Sequence, residues 1–204
     1  MKTKFLTGIA LLGLTTVLLT GCGKEPVAEI DAAKAAVEQA KTAGADVYVH
    51  ESYVVLQDSL NGVMSTIESQ KSKLFKNYST AKEHLAGVTQ FAGEVAQQAE
   101  TCKEEVKVEV QNTIAEVKLL IQSNRQLILE APKGKEGASA LVAIEGEVNA
   151  IEQLVADAGT MYDSGEYIAT LDKAKVAKEK ATAINTELSG VIAKYKANVK
   201  GKKA

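Results

Sequence analysis

Residues 81–106 read "AKEHLAGVTQFAGEVAQQAETCKEEV". Ala81, Leu85, Val88, Ala92, Val95, Ala99, Cys102 and Val106 succeed one another in steps of four and three without a fault, and the same rhythm runs back through Tyr78 to Leu74. A period near 3.5 lines one face of a helix with a single apolar stripe, the heptad seam by which helices pack. Beyond Val106 the spacing changes to Val110, Ile114, Val117 and Ile121. Consecutive steps of four are a stutter, which carries the stripe around the helix. The stretch stops at "EAPKGKEGAS", with Pro132, Gly134 and Gly137. From Tyr78 to Ala131 this predicts one helix of about 80 Å at 1.5 Å per residue. Cys102 sits on its seam among alanines and valines, where a free thiol acts as a small hydrophobe.

Helices on both sides can cover that seam. Upstream, "VAEIDAAKAAVEQAKTA" puts Ile30, Ala33, Val37 and Ala40 on one face and stops at Gly44. After the break "GADVYVHES", a second segment carries Tyr53, Leu56, Leu60, Val63, Ile67 and Leu74. "KSKLFKNYST" is polar, and Thr80 with Glu83 has the spacing of a capping box. A turn is expected there, although no Pro or Gly forbids a continuous helix. Downstream, Leu141, Ile144, Val148, Ile151, Val155, Ala158 and Tyr162 form a fourth stripe. Tyr167, Leu171, Ala174, Ala177, Ala181, Ile184, Leu188 and Tyr195 form a fifth. Between them "MYDSGEY" places Asp163 and Glu166 at capping-box spacing. The stretches "AGADVYVHESY" and "AGTMYDSGEY" echo each other, each closing a helical hairpin. Tyr48 with Tyr53, and Tyr162 with Tyr167, are expected to plug bundle ends, ring buried and hydroxyl wet.

No alternating strand pattern competes with this. The expected fold is all-α: an elongated antiparallel helical bundle, in which two three-helix bundles (residues 27–106 and 107–199) share one long central helix. The arrangement is similar to tandem spectrin repeats. The rival is a tetratricopeptide-like stack: Gly159, Tyr162, Gly165 and Tyr167 resemble that repeat's helix-turn-helix, but Gly165 comes one residue early and only one copy occurs.

The front of the chain has a different character. Lys2 and Lys4 precede an apolar run from Phe5 to Leu19, the charged and apolar regions of a secretory signal. The run is short for a membrane-spanning helix, which needs about 20 apolar residues. Leu19-Thr20-Gly21-Cys22 resembles the lipobox of bacterial lipoproteins. That resemblance implies a signal peptide over residues 1–21, cleavage before Cys22, and lipid on its thiol, with residues 22–26 as a tether. Two or more acyl chains make a stable anchor, each buried methylene contributing about 0.8 kcal/mol. In the Gram-negative form of the family, Asp after the cysteine retains the protein at the inner membrane. Gly23 stands there, which implies the outer membrane, facing the periplasm.

Composition narrows the function. The part after the signal, about 180 residues, suffices for one or two small domains. Trp is absent, Phe scarce, and Pro occurs only at Pro26 and Pro132, which suits long helices with thin Ala-rich seams. Loss of Lys2 and Lys4 leaves a mildly acidic chain, whereas nucleic-acid binding wants a basic domain. The exception is the tail, with Lys194, Lys196, Lys200, Lys202 and Lys203. These lysines complement a helix C-terminus or meet an anionic envelope surface; residues 200–204 form the basic tail proper. No catalytic, cofactor or metal site is expected. His50 and His84 lie far apart in sequence without convergent ligands, and there is no phosphate loop or nucleophile elbow. The acids fall on polar helix faces, as Glu104 and Glu105 do beside Lys103 and Lys107.

The segment "AAKAAVEQAKTAGADVY", with the Ser52-Tyr53 pair that follows it, resembles a group of uncharacterised alanine-rich helical lipoproteins of bacterial envelopes. Their turn commonly carries a proline where this chain has His50. The resemblance implies no enzyme activity and no ligand. Three functions remain in play. One is a non-enzymatic, lipid-anchored spacer or adaptor with an envelope protein partner. Another is a self-associating coiled coil, similar to the alanine-zipper lipoproteins that tie outer membrane to cell wall; against it stand the hairpin turns and a terminal Ala204 where that family has lysine. The last is a helical carrier of a lipid or peptide.

Overall fold

A computed structural model describes residues 23–134 and 137–201. Six helices account for most of them: α1 (Val27–Thr42), α2 (Ala45–Tyr48), α3 (His50–Lys71), α4 (Ser79–Glu130), α5 (Gly137–Asp163) and α6 (Tyr167–Gly201). There is no strand among the described residues. The spine is α4, 52 residues long, or about 78 Å at 1.5 Å per residue. It stops where the sequence says it must. Ala131 is extended (φ −65°, ψ 145°), because the ring of Pro132 excludes the helical conformation from the residue before it.

Each end of α4 has its own hairpin. α1, α2 and α3 pack on its first half, α5 and α6 on its second. α1 runs parallel to α4 and α3 returns antiparallel; α5 is antiparallel to α4 and α6 parallel. Pairs along the grooves mark these directions: Glu29 with Lys82 at 2.9 Å for α1, Ser52 with Gln98 at 3.4 Å for α3, Gln111 with Tyr162 and Arg125 with Glu152, both at 2.7 Å, for α5, and Lys175 with Glu109 at 2.8 Å and Lys196 with Glu130 at 3.7 Å for α6. The cores are separate. The first joins Ile30, Val37, Leu56, Ile67, Leu85 and Val95 to a string of alanines. The second joins Val117, Ile121, Val148, Ile151, Ile184 and Leu188. Between them, residues 100–109 include no fully buried side chain. The expected pair of three-helix bundles on a shared helix is therefore the observed architecture.

Several details of the stripe differ. Leu74 is 91% exposed, because α3 ends at Lys71 and the chain turns over residues 72–78 before α4 begins. Thr80 and Glu83 do not cap α4. The Asn77 side chain accepts the Ser79 amide at 3.0 Å instead, and Tyr78 closes the bundle end at 1% exposure. Asp163 is the last residue of α5 rather than a cap for α6. Cys102 and Val106 are half-buried, not core. Past the stutter, Thr113 takes the seam position expected for Ile114. Tyr195 is 52% exposed, and Ile192 fills the last core position of α6.

The seam also buries Asn124 completely. Its Nδ2 donates to the Ala181 carbonyl at 2.8 Å, and its Oδ1 accepts from Asn185 Nδ2 at 2.8 Å. A buried amide with both ends satisfied sets the register of α6 on α4, since sliding either helix would strand it against alkyl groups.

Two glycines make the hairpin turns. Gly44 has φ +93° and Gly165 φ +84°, the left-handed region that ends helices. At the second, Gly165 N donates to Tyr162 O and Glu166 N to Met161 O, at 3.0 and 3.1 Å, the paired bonds of a Schellman motif. At the first, a Cβ on Gly44 would lie 2.9 Å from Tyr48 Cδ2. Gly44→Ala is therefore expected to cost about 1–2 kcal/mol for the left-handed backbone alone. Gly93, mid-helix with open space around its Cα, should respond oppositely, Gly93→Ala adding about 1 kcal/mol. Urea unfolding followed by far-UV circular dichroism measures both. Equal signs would refute this account of the turn.

Candidate functional site

Two places collect the residues singled out by sequence. One is the end of the rod where the N-terminal segment enters. Cys22 and the signal-like residues before it lie outside the described residues, so the chain is followed from Gly23. Pro26 is buried there. Glu25 pairs with Lys71 at 2.6 Å and Glu29 with Lys82 at 2.9 Å, which clasps the entering chain to the end of α3 and the start of α4. The Lys82 hydrogen bond holds the Glu29 carboxyl below the usual range, against a smaller opposing effect of burial. The hydrogen bonds that Lys71 donates, to Glu25 first and Glu68 second, push its ammonium up. These pairs are exposed and individually weak; together they orient the entry.

The other place is the waist, where the two hairpin tips meet the middle of α4. Tyr162 and Tyr167 stack edge to face, centroids 5.1 Å apart. Lys107 Nζ lies 5.0 Å from the centre of the Tyr167 ring and is also bound by Glu104. Gln111 Nε2 donates to Tyr162 Oη at 2.7 Å. Tyr48 comes from the opposite tip, near enough to Tyr167 and Lys107 to feel both. The echoed turn sequences thus both lie at the middle of α4, and the bundle ends they close face inward. Tyr53 alone of the four is buried, its hydroxyl taking a 3.2 Å bond from Gln57 Nε2; the rings of Tyr48, Tyr162 and Tyr167 are half-buried. Sequence reasoning found the tyrosines, read Lys107 as a partner of the neighbouring acids, which the pair with Glu104 bears out, and missed its place over Tyr167 and that of Gln111. Their signal is their position on α4, facing the tips, which no local pattern reveals.

Beside the waist, α4 and α6 bound an open groove of ≈ 850 Å³ lined by Glu100, Glu104, Glu105, Glu109, Glu116 and Lys178, among others. Glu104, Glu109 and Glu116 are held by Lys107, Lys175 and Lys178. Carboxylates tied along helix edges do not converge on one atom, as acid–base work requires. The histidines are likewise apart. His50 opens α3, its Nδ1 donating to Asp46 O at 3.2 Å. His84 stands in the first turns of α4, in a shallow groove with Asp58 and Phe91. Among the described residues no three His, Cys, Asp or Glu side chains gather as a metal site.

Waist packing has a pH signature. Burial first, and Tyr167 second, raise the Tyr48 phenol above its ordinary value, with Lys107 opposing. The unfolded phenol ionises near pH 10, before the folded one. Its contribution is therefore complete below that pH and drains away as pH rises through the folded value. Stability is expected to fall above pH 10, and less steeply in Tyr48→Phe; identical slopes in urea titrations at pH 9 and 11 would contradict it. No family model, curated protein or solved structure matches this chain, so the functional reading rests on this geometry and on the residues themselves.

Proposed function

We propose that this chain is a non-enzymatic lipoprotein of the bacterial envelope, held in the outer membrane by acyl chains on Cys22. It acts as a helical spacer or adaptor that presents its surface to a periplasmic protein. One observation carries the reading: the N-terminal segment enters at one extremity of a rod whose spine is a 52-residue helix. Lipid at Cys22 then grips the rod by its end. The hairpin tips stand half-way along, and the termini of α4 and α6, linked by Lys196 and Glu130 at 3.7 Å, stand at the far end. Lys194 and Lys196 of α6 are exposed at that end and would face away from the anchoring bilayer; residues 202–204 of the basic tail lie outside the described residues.

The choice against a self-associating coiled coil comes from the same stripe. The Ala/Val seam that invites partners is covered within the chain by α1, α3, α5 and α6. Among the described residues no helix is long and apolar enough to cross a membrane.

Two measurements test the proposal. Cys22→Ser should move the protein from the detergent-extracted to the soluble fraction of the cell; a variant still bound to membranes ends the lipid-anchor reading. In-cell photo-cross-linking from Val108, exposed at the waist, should give discrete adducts with a small number of proteins. A chain that yields no adduct there or at the far end of α4 is not an adaptor.

A further inference from the structure

The loop between α3 and α4 breaks the rule that turns expose polar residues. Leu74 is 91% and Phe75 87% exposed, the two most exposed large apolar side chains among the described residues. The others lie on helix faces, singly apart from Val54 and Val55, as scattered surface apolar residues normally do; Leu74 and Phe75 are adjacent at a loop tip, between α3 and α4.

That tip is held firmly from behind. Lys73 N donates to Gln70 O at 3.1 Å as α3 ends, and Asn77 accepts the Ser79 amide as α4 begins. Tyr78, 1% exposed, anchors the loop inward. The bundle therefore has an aromatic plug for its own end, and Leu74 and Phe75 are surplus to it. Lysines flank the pair: Lys73 and Lys76 are exposed and have no ion-pair partner among the described residues. Lys24, on the entering chain, is in the same state.

The position of the tip decides what it meets. Glu25 is bonded to Lys71, three residues before Leu74. Cys22 stands three residue steps before Glu25, a reach of about 10 Å even when fully extended. From this we infer that the α3–α4 loop is a second membrane contact: Leu74 and Phe75 enter the interfacial layer of an anionic phospholipid bilayer while Lys24, Lys73 and Lys76 meet its phosphates. The inference rests on the lipid-anchor reading, which brings the bilayer within that reach. Apolar side chains ringed by lysines are the chemistry of an interfacial anchor. The consequence is orientation. A lipid at Cys22 alone is a swivel; a second contact on a rigid loop holds the rod end-on.

The chain has no tryptophan, so Phe75→Trp supplies a single reporter at an exposed site. In the full chain on vesicles of phosphatidylcholine and phosphatidylglycerol, Trp emission should shift to the blue by roughly 10 nm and be quenched about twofold by brominated acyl chains, as expected for an interfacial ring. The same reporter at the waist, Val108→Trp, should do neither. On phosphatidylcholine alone the Phe75→Trp signal should weaken by more than half. An unshifted, unquenched signal from Phe75→Trp on membrane-bound protein overturns the proposal. So does an equal response on neutral lipid, or quenching of Val108→Trp, which would lay the rod flat. A Cys22→Ser chain with an N-terminal histidine tag, tethered to nickel-chelating lipid, separates the two readings. If the untagged full chain does not sediment with vesicles but the tethered Phe75→Trp form is quenched, the lipid at Cys22 is wrong and the loop contact stands. If the full chain sediments and neither form is quenched, the reverse holds.

Discussion

One helix has to satisfy two hairpins. Among the described residues every contact between helices involves α4 or a hairpin docked on it, and α4 offers only a narrow stripe to each. The stripe is built of alanines and valines, with Leu85 and Ile121 as its larger members. Small side chains let backbones approach closely, and the bulk of the burial comes from residues on the facing helices, such as Leu56, Ile67, Ile151 and Leu188. Each of these contributes about 1.5–3 kcal/mol when fully buried. A stripe this thin is filled by the side chains of the facing helices.

The two hairpins meet α4 at different lengths, through buried positions between 81 and 99 and between 110 and 124. A strict heptad stripe drifts by about 20° per repeat on a straight helix, and the added step of four near Val106 turns it back. Between the two stretches lie ten residues, 100–109, with no buried side chain. The waist compensates with contacts of another kind: a cation over a ring, an edge-to-face tyrosine pair and an amide-to-phenol bond. Such contacts are individually worth about 0.5–1.5 kcal/mol. They tie the tip of the α5–α6 hairpin to α4.

The two bundles solve the register problem differently. The first is apolar throughout its buried cluster, and its lateral order comes from Gly44, Tyr78 and the ion pairs at the chain entry. The second carries Asn124 and Asn185 across α4 and α6. A polar residue at a seam position lowers stability relative to an alkyl group but penalises every wrong alignment more. The longer helix pair, which has the most ways to slip, is the one that has it.

Periodicity alone determined the class of the fold, the number of major helices, the length of α4 and the shared-helix arrangement. Those follow from the spacing of apolar residues, a local property that survives any tertiary context. The left-handed turns were marked by Gly44 and Gly165 for the same reason: only glycine holds that backbone without strain. Tertiary structure decided what spacing leaves degenerate. Past the stutter, positions 113 and 114 lie one step apart, and the facing helices selected Thr113. Asn124 reads as an ordinary polar residue until Ala181 and Asn185 arrive across the groove. Leu74 satisfied the heptad and is nonetheless exposed, because the helix it would have joined ends at Lys71. That the two tyrosine-bearing turns would both lie at the middle of α4, and that the chain entry would share its end of the rod with Leu74 and Phe75, depends on helix directions. No stretch of sequence encodes these by itself, because they are set by which grooves remain free once the first helices have packed.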